Sequence, residues 1–340
     1  MDEFDERSID DPLARGGHGH ERLDAEAERD DDGVDRRGFL KCMAWAGTGL
    51  VWTVSAGVLS SCTLGGSSKN NSGSVKGDFT FAQVSDSHIG FNKAPNMDVT
   101  GTLQKSIDKV NALATRPAFV LHTGDLSHLS TPQQFDTVDQ ILKGAKSDSG
   151  QVFYTPGEHD TFVDNGKTFM DHFGKGTQGN GWQSADYKGV HIVGLVNTWN
   201  VKGGGFGVLG QEQIDWLKQD LAGVNSTTPL LVFAHVPLWS IYPQWGWGTD
   251  DAEQALSMMK RFSSVTVLNG HIHQVLEKQE GNITFHTAAS TAYPQPAPGQ
   301  TQGPGPLVVV TDQLQSSLGV REVVFSQKKN ALVVIDQRLG

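Results

Sequence analysis

The stretch "QVFYTPGEHD", residues 151–160, passes from an apolar run through a Pro-Gly turn into three ionisable side chains in a row. A short apolar run closed by turn residues reads as a buried strand. Glu158, His159 and Asp160 then stand at its carboxyl end, the edge where α/β sheets bind ligands. Outward from this point the same grammar recurs. "DFTFAQV" (78–84) leads to Asp86-x-His88, and "AFVLHTG" (118–124) to Asp125-x-x-His128. "PLLVFA" (229–234) leads to His235, and "VTVLN" (265–269) to Gly270-His271-Ile272-His273.

Between these strands lie helix-period segments. Leu103, Ile107, Val110 and Leu113 recur at helical spacing, as do Phe135, Val138, Ile141 and Leu142. "LGQEQIDWLKQDL" (209–221) is amphipathic, and a further helix is expected near 251–262. "GVHIVGLVNT" (189–198) adds a strand. After residue 282 the chain reads as mostly strands: "ITFHTA" (283–288), "PLVVV" (306–310), "VREVVF" (320–325) and "ALVVID" (331–336). The Pro/Gly-rich stretch 293–306 between them is a loop. Strand–helix alternation with a strand-rich end predicts a layered α/β domain over 78–340, with helices on the outer faces.

The formal net charge of −11 belongs to one end of the chain. Residues 1–35 carry fourteen Asp/Glu against four Arg, so the rest is close to neutral. That head reads as a solvated acidic extension. No basic stripe with interleaved aromatics occurs, which argues against a dedicated nucleic-acid binder. Residues 36–62 read as a leader: Arg36-Arg37 precede an apolar stretch diluted with Gly, Ser and Thr, short and soft for a membrane span. The order R-R-x-F-L-K resembles a twin-arginine export signal. It implies passage through the twin-arginine machinery to the periplasm or cell envelope. Leu59-Ser60-Ser61-Cys62 resembles a lipobox, which would tether the protein to a membrane through Cys62; a cut after Val54-Ser55-Ala56 is the alternative. Residues 63–77, rich in Gly, Ser and Asn, read as a flexible linker.

Cys42 and Cys62 are the only cysteines, and both lie in the leader. The body therefore has no thiolate to offer a metal. Any ion must be held by nitrogen and oxygen, a donor set that suits Zn, Mn, Fe, Co or Ni better than Ca or Mg. A lone His at a strand end is more often hydrogen-bonded than a ligand, and His172, His191 and His286 read as structural. Asp86, His88, Asp125, His235, His271 and His273 instead share one topological position. Residues two apart in an extended segment point the same way, so each D-x-H or H-x-H pair can share an ion.

The motifs D-x-H, G-D-x-x-H, G-[N/E]-H-D, a strand-final His and G-H-x-H, in this order, resemble the calcineurin-like metallophosphoesterase superfamily, most closely its cyclic-nucleotide phosphodiesterase-like branch. The resemblance covers residues 78 to about 292. It implies a four-layer α/β/β/α sandwich and two divalent or trivalent ions, with Mn or Fe preferred and Zn as the alternative. By motif, Asp86, His88 and His273 would hold the first ion, Asp125 would bridge, and His235 and His271 would hold the second. Glu158 stands where the family has Asn, as a second-metal ligand that adds a negative charge and favours harder cations. His128 stands where purple acid phosphatases carry a metal-binding Tyr, so no purple colour is implied. Its role as ligand, substrate contact or neighbour is open.

What the resemblance implies chemically is hydrolysis of a phosphate mono- or diester by a metal-bridging hydroxide. His159 would stabilise the transition state or protonate the leaving group, and Asp160 would orient that imidazole. Trp239, Tyr242 and Trp245, in "PLWSIYPQWGWGTDD" (237–251), are candidate substrate contacts: a stacking platform for a flat group, a hydrophobic cover, or a docking face. The competing reading is a non-catalytic exported metal- or partner-binding module on the same fold. A single-zinc peptidase would need an H-E-x-x-H pairing, which is absent.

Overall fold

A computed structural model describes the backbone of residues 51–55 and 58–62 and, with side chains, residues 79–199, 201, 206–310 and 313–340. The acidic extension, the Arg36-Arg37 motif and the linker lie outside the described residues. Over residues 51–62, β1 (Val51–Ser55) and β2 (Val58–Cys62) pair antiparallel. The chain continues as β3 (Phe79–Val84), α1 (Val99–Asn111), β4 (Val120–His122), α2 (Pro132–Leu142), β5 (Val152–Tyr154) and α3 (Lys167–Phe173). Next come β6 (Gln183–Tyr187), β7 (Val190–Gly194), α4 (Gln211–Ala222), β8 (Leu230–Phe233) and α5 (Ala252–Met259). It closes with β9 (Val265–Asn269), β10 (Leu276–Glu280), β11 (Ile283–Thr287), α6 (Leu314–Ser317), β12 (Gly319–Ser326) and β13 (Ala331–Arg338).

Two sheets carry the fold, one in the order β13-β12-β3-β4-β5 and the other β10-β11-β9-β8-β7-β6. In the six-stranded sheet parallel strands occupy the middle with an antiparallel pair at each margin, whereas in the five-stranded sheet β3, β4 and β5 are parallel out to the β5 edge and the antiparallel pairs lie on the β12 side. Strand alternation then decides which core each side chain joins. In β8, Leu230 and Val232 face α4 and α5, while Leu231 and Phe233 face the other sheet. In β3, Phe79 and Phe81 face between the sheets, while Ala82 and Val84 face α1 and α2. Three apolar layers therefore separate four structural layers, the expected α/β/β/α sandwich. The inter-sheet layer is built on Phe79, Phe81, Phe119, Phe153, Phe233 and Phe325. Phe81 and Phe119 stack at 4.8 Å, and each such buried ring contributes roughly 1.5–3 kcal/mol.

The tail departs from expectation in one place. "PLVVV" (306–310) is not a strand: Pro304 and Pro306 lack the N–H donors a ladder needs, and Val308 and Val310 are exposed. β6 and β10 carry the polar sequences QSADY and LEKQE, so apolar runs did not announce them.

His191 is structural, as its place inside a strand suggested. Its Nδ1 meets Asp186 of β6 at 2.8 Å and its Nε2 meets Asp220 of α4 at 2.9 Å. Burial lowers its pKa, but the two carboxylates outweigh this and raise it above 6.5. A His with a raised folded pKa adds stability that is complete below the unfolded value and is lost as pH rises through the folded one. The stability difference between the wild type and Asp220→Asn should therefore shrink as pH rises above about 6.5, measured by denaturant unfolding. A constant difference would remove His191 as its source.

Candidate metal centre

The polar residues predicted from the strand ends converge where the two sheets meet. Asp86 and His88 follow β3, Asp125 and His128 follow β4, and Glu158, His159 and Asp160 form a 3₁₀ turn after β5. His235 follows β8, and His271 and His273 follow β9. Each strand must turn sharply just as it delivers its side chains. Asp86, His88, Asp125, His271 and His273 all have positive φ, between 41° and 70°. Such conformations cost on the order of 1–3 kcal/mol per non-glycine residue and gather at functional sites.

Four donor groups occur among the described residues, and two of them hold the predicted ligands: the first joins Asp86, His88, Asp125 and His273, the second Glu158, His235 and His271; the remaining two join His88, His128 and His159, and Asp125, Glu158 and His159. In the first, His88 Nε2 lies 3.2 Å from His273 Nε2 and 3.4 Å from Asp125 Oδ2, and His273 Nε2 lies 3.3 Å from Asp86 Oδ1. In the second, Glu158 turns inward, its Oε2 2.8 Å from His235 Nε2 and its Oε1 2.9 Å from His271 Nδ1. Asp125 Oδ2 stands between the groups, 3.5 Å from His235 Nε2. Gly157 and Gly270 make the crowding possible. A Cβ on Gly157 would sit 2.0 Å from Asp125 Oδ1, and one on Gly270 2.6 Å from Asp86 Oδ2.

The donor chemistry fits cations. Asp86 Oδ2, Glu158 Oε2, His235 Nε2 and His271 Nδ1 are buried without a hydrogen bond; the short Glu158–His contacts are close but misaligned. Burial opposes charge on Glu158, yet His271 and His235 hold its carboxyl well below the usual range. Burial, reinforced by His159, His273 and His128, keeps His88 well below the usual imidazole pKa and hence neutral, the form that ligates metal. Backbone carbonyls orient the rings: His235 Nδ1 donates to Thr123 O at 2.7 Å and His273 Nδ1 to Tyr293 O at 2.7 Å. Both Nε2 atoms are thereby presented to the centre.

The GEHD triplet divides its work differently from expectation. His159 Nδ1 donates to the His128 carbonyl at 3.0 Å, and its backbone N–H to Asp125 Oδ1 at 3.0 Å. Asp160 does not orient this ring. Its carboxylate accepts from the backbone N–H groups of Gly157, Leu126 and Ser127 and from Ser127 Oγ, at 2.7–3.0 Å. Successive side chains on a helical turn diverge, so Asp160 faces inward and ties the β4 and β5 loops together. Burial and Asp125 push its carboxyl up to about 6 against those bonds. His128 reaches His88 Nδ1 at 3.4 Å and stacks on His159 with centroids 4.8 Å apart. It backs two site residues.

The aromatic loop is also corrected. Trp239 packs on Phe285 of β11, and Trp245 is buried with Trp247 against Ile272, beneath the G-H-x-H turn. Trp245 is buried by the protein itself and offers no stacking face, whereas Trp239 is half-buried with its ring against Phe285. Tyr242 is half-buried, edge-on to Trp245. Tyr293 instead was missed. It is buried, its ring stacked on His88 at 4.8 Å, with Oη 3.3 Å from His88 Nε2. The available signal was its position just past the carboxyl end of β11, on the same sheet edge. The exposed large apolar side chains Leu129, Phe162 and Val163 lie on the outward continuations of the β4 and β5 loops.

Fold and site together define a metal-dependent hydrolase of phosphoric esters. Residues 79–275 match the family described as calcineurin-like phosphoesterase, and the chain belongs to that family. It is 24% identical over 220 residues to a 3',5'-cyclic-nucleotide phosphodiesterase of Nostoc, covering 63% of this chain and 79% of the relative. It is 26% identical over 227 residues to a probable glycerophosphodiester phosphodiesterase of Arcobacter nitrofigilis, covering 62% and 78%. Among solved structures, a dimetal phosphatase from Danio rerio superposes with TM-score 0.57 at 12% identity, covering 78% of this chain and 98% of that one.

Because ligands come from both sheets, cations binding here brace the interface between them. Removing bound metal with a chelator should lower Tm, and adding Mn should restore it. Gly157→Ala, whose methyl would strike Asp125, should show a much smaller metal-dependent rise. A Tm indifferent to metal in the wild type would contradict a centre shared by the two sheets.

Proposed function

We propose that this protein is an exported phosphodiesterase with a two-ion centre, in which Asp86, His88, Asp125 and His273 hold one ion and Asp125, Glu158, His235 and His271 the other. The observation that carries the reading is the convergence of three carboxylates and four imidazoles, each within 2.8–3.5 Å of at least one other, several with no hydrogen bond. When bound, the ions supply Lewis acidity toward a phosphoryl oxygen and lower the pKa of water. The chain's residues supply position and proton transfer. Asp125 is held by the His159 N–H so that Oδ2 remains directed between the two donor groups. His159 has its Nδ1 tied to the His128 carbonyl, so its proton chemistry runs through Nε2. As an imidazolium it can protonate the departing ester oxygen without rotating. The preference for a diester is supported by relatives named as phosphodiesterases.

Purified protein with quantified metal should hydrolyse bis-p-nitrophenyl phosphate faster than p-nitrophenyl phosphate when Mn is added. Metal bound without turnover of either ester would favour a binding module; faster monoester hydrolysis would reverse the substrate preference. His159→Ala should retain metal and lose about 10²–10⁴-fold in kcat. An unchanged rate rejects proton transfer by this ring.

Export is supported by the order Arg36-Arg37-x-Phe39-Leu40-Lys41. Replacing both arginines with lysine should strand the protein inside the cell, as cell fractionation would show; continued export would refute the twin-arginine route.

A further inference from the structure

We propose that Tyr293 is an additional ligand of the first ion, supplied by a segment outside the five strand-end motifs; the inference rests on the metal centre described above. Two donors, each about 2.0–2.2 Å from one ion and near 100° apart, stand about 3.1–3.4 Å from each other. Three pairs in the first donor group have this spacing: 3.2 Å for His88–His273, 3.4 Å for His88–Asp125 and 3.3 Å for His273–Asp86. Tyr293 Oη lies 3.3 Å from His88 Nε2, within the same interval. Its ring is only 3% exposed, and packs at 4.5 Å on Phe91 and 4.7 Å on His273. The phenol is therefore delivered to the centre by a rigid ring.

The backbone holds it there. Ser290 Oγ donates to the Asp86 carbonyl at 2.8 Å and accepts from the Ala292 and Tyr293 N–H groups at 2.8 and 3.2 Å. The Tyr293 carbonyl accepts from His273 Nδ1. One residue thus orients a ligand through its main chain and brings an oxygen beside another through its side chain. On ligation the phenol oxygen takes the ion and its proton leaves to solvent. A phenolate with two carboxylates is a hard donor set, which favours trivalent iron over zinc at this position. It also reverses the inference drawn from His128, that no tyrosine reaches the metals.

Iron(III)–phenolate ligation gives an intense visible absorption band, which provides a readout independent of turnover. Only four tyrosines occur in the chain. Tyr154 packs on Phe173, Tyr187 on Phe79 and Tyr242 on Trp245. Iron-loaded wild type should show the band, Tyr242→Phe should keep it, and Tyr293→Phe should lose it while remaining folded. In titrations with Mn, Tyr293→Phe should bind the first ion at least about tenfold more weakly. Wild type that holds iron, oxidised to iron(III) before the spectrum is taken, without the band, a band surviving in Tyr293→Phe, or equal Mn affinity would each overturn the assignment. A wild type that binds no metal would sink the centre itself, a separate and distinguishable result.

Discussion

Asp86, Asp125 and Glu158 are buried together at the junction of two sheets, and three carboxylates so close are tolerable only opposite positive charge. That requirement organises the surrounding structure. Positive φ at five site residues turns the chain abruptly enough to aim several donors into one small volume. Gly157 and Gly270 clear the space into which Asp125 and Asp86 reach. Carbonyls of Thr123 and Tyr293 hold Nδ1 of His235 and His273, so that each Nε2 faces the carboxylates. The local strain is sustained by the sandwich around it, whose three apolar layers hold every contributing strand in register.

Much of this was legible in the sequence because the signal is positional. Each ligand follows directly on an apolar run, and a strand's carboxyl end is a place the chain can identify by itself. The full layer order came from the family resemblance rather than from alternation: "LLVF" is apolar throughout, as a strand buried on both faces must be, and such a run does not say which core each side chain joins. Edge strands β6 and β10 were opaque, since half their surface meets water and their apolar content is low.

What stayed hidden depended on tertiary geometry. Asp160 sits beside His159 in sequence, and adjacency suggested that one orients the other. On a helical turn neighbours diverge, so Asp160 found backbone donors on the β4 loop and His159 found a carbonyl. Trp239 and Trp245 looked like surface chemistry in a Gly-rich loop, but burying large rings beneath Ile272 and on Phe285 is the more favourable outcome. Tyr293 lies in a Pro/Gly-rich stretch without periodicity. Nothing local reveals that the segment folds back against β3's loop through Ser290.

The Asp160 cross-link has a further consequence. By accepting from Gly157, Leu126 and Ser127, one carboxylate welds the loops that carry Asp125 and Glu158 into a single body. The side chains of Leu129, Phe162 and Val163 continue outward from that body and are exposed, although the Phe162 N–H still donates to the Glu158 carbonyl. Inheritance can therefore tinker with the outer positions, trading one ester's companion groups for another's, while the inner machinery is passed on intact. The fold keeps a fixed engine and an interchangeable mouthpiece, and diversification of such enzymes is expected to run through the mouthpiece first.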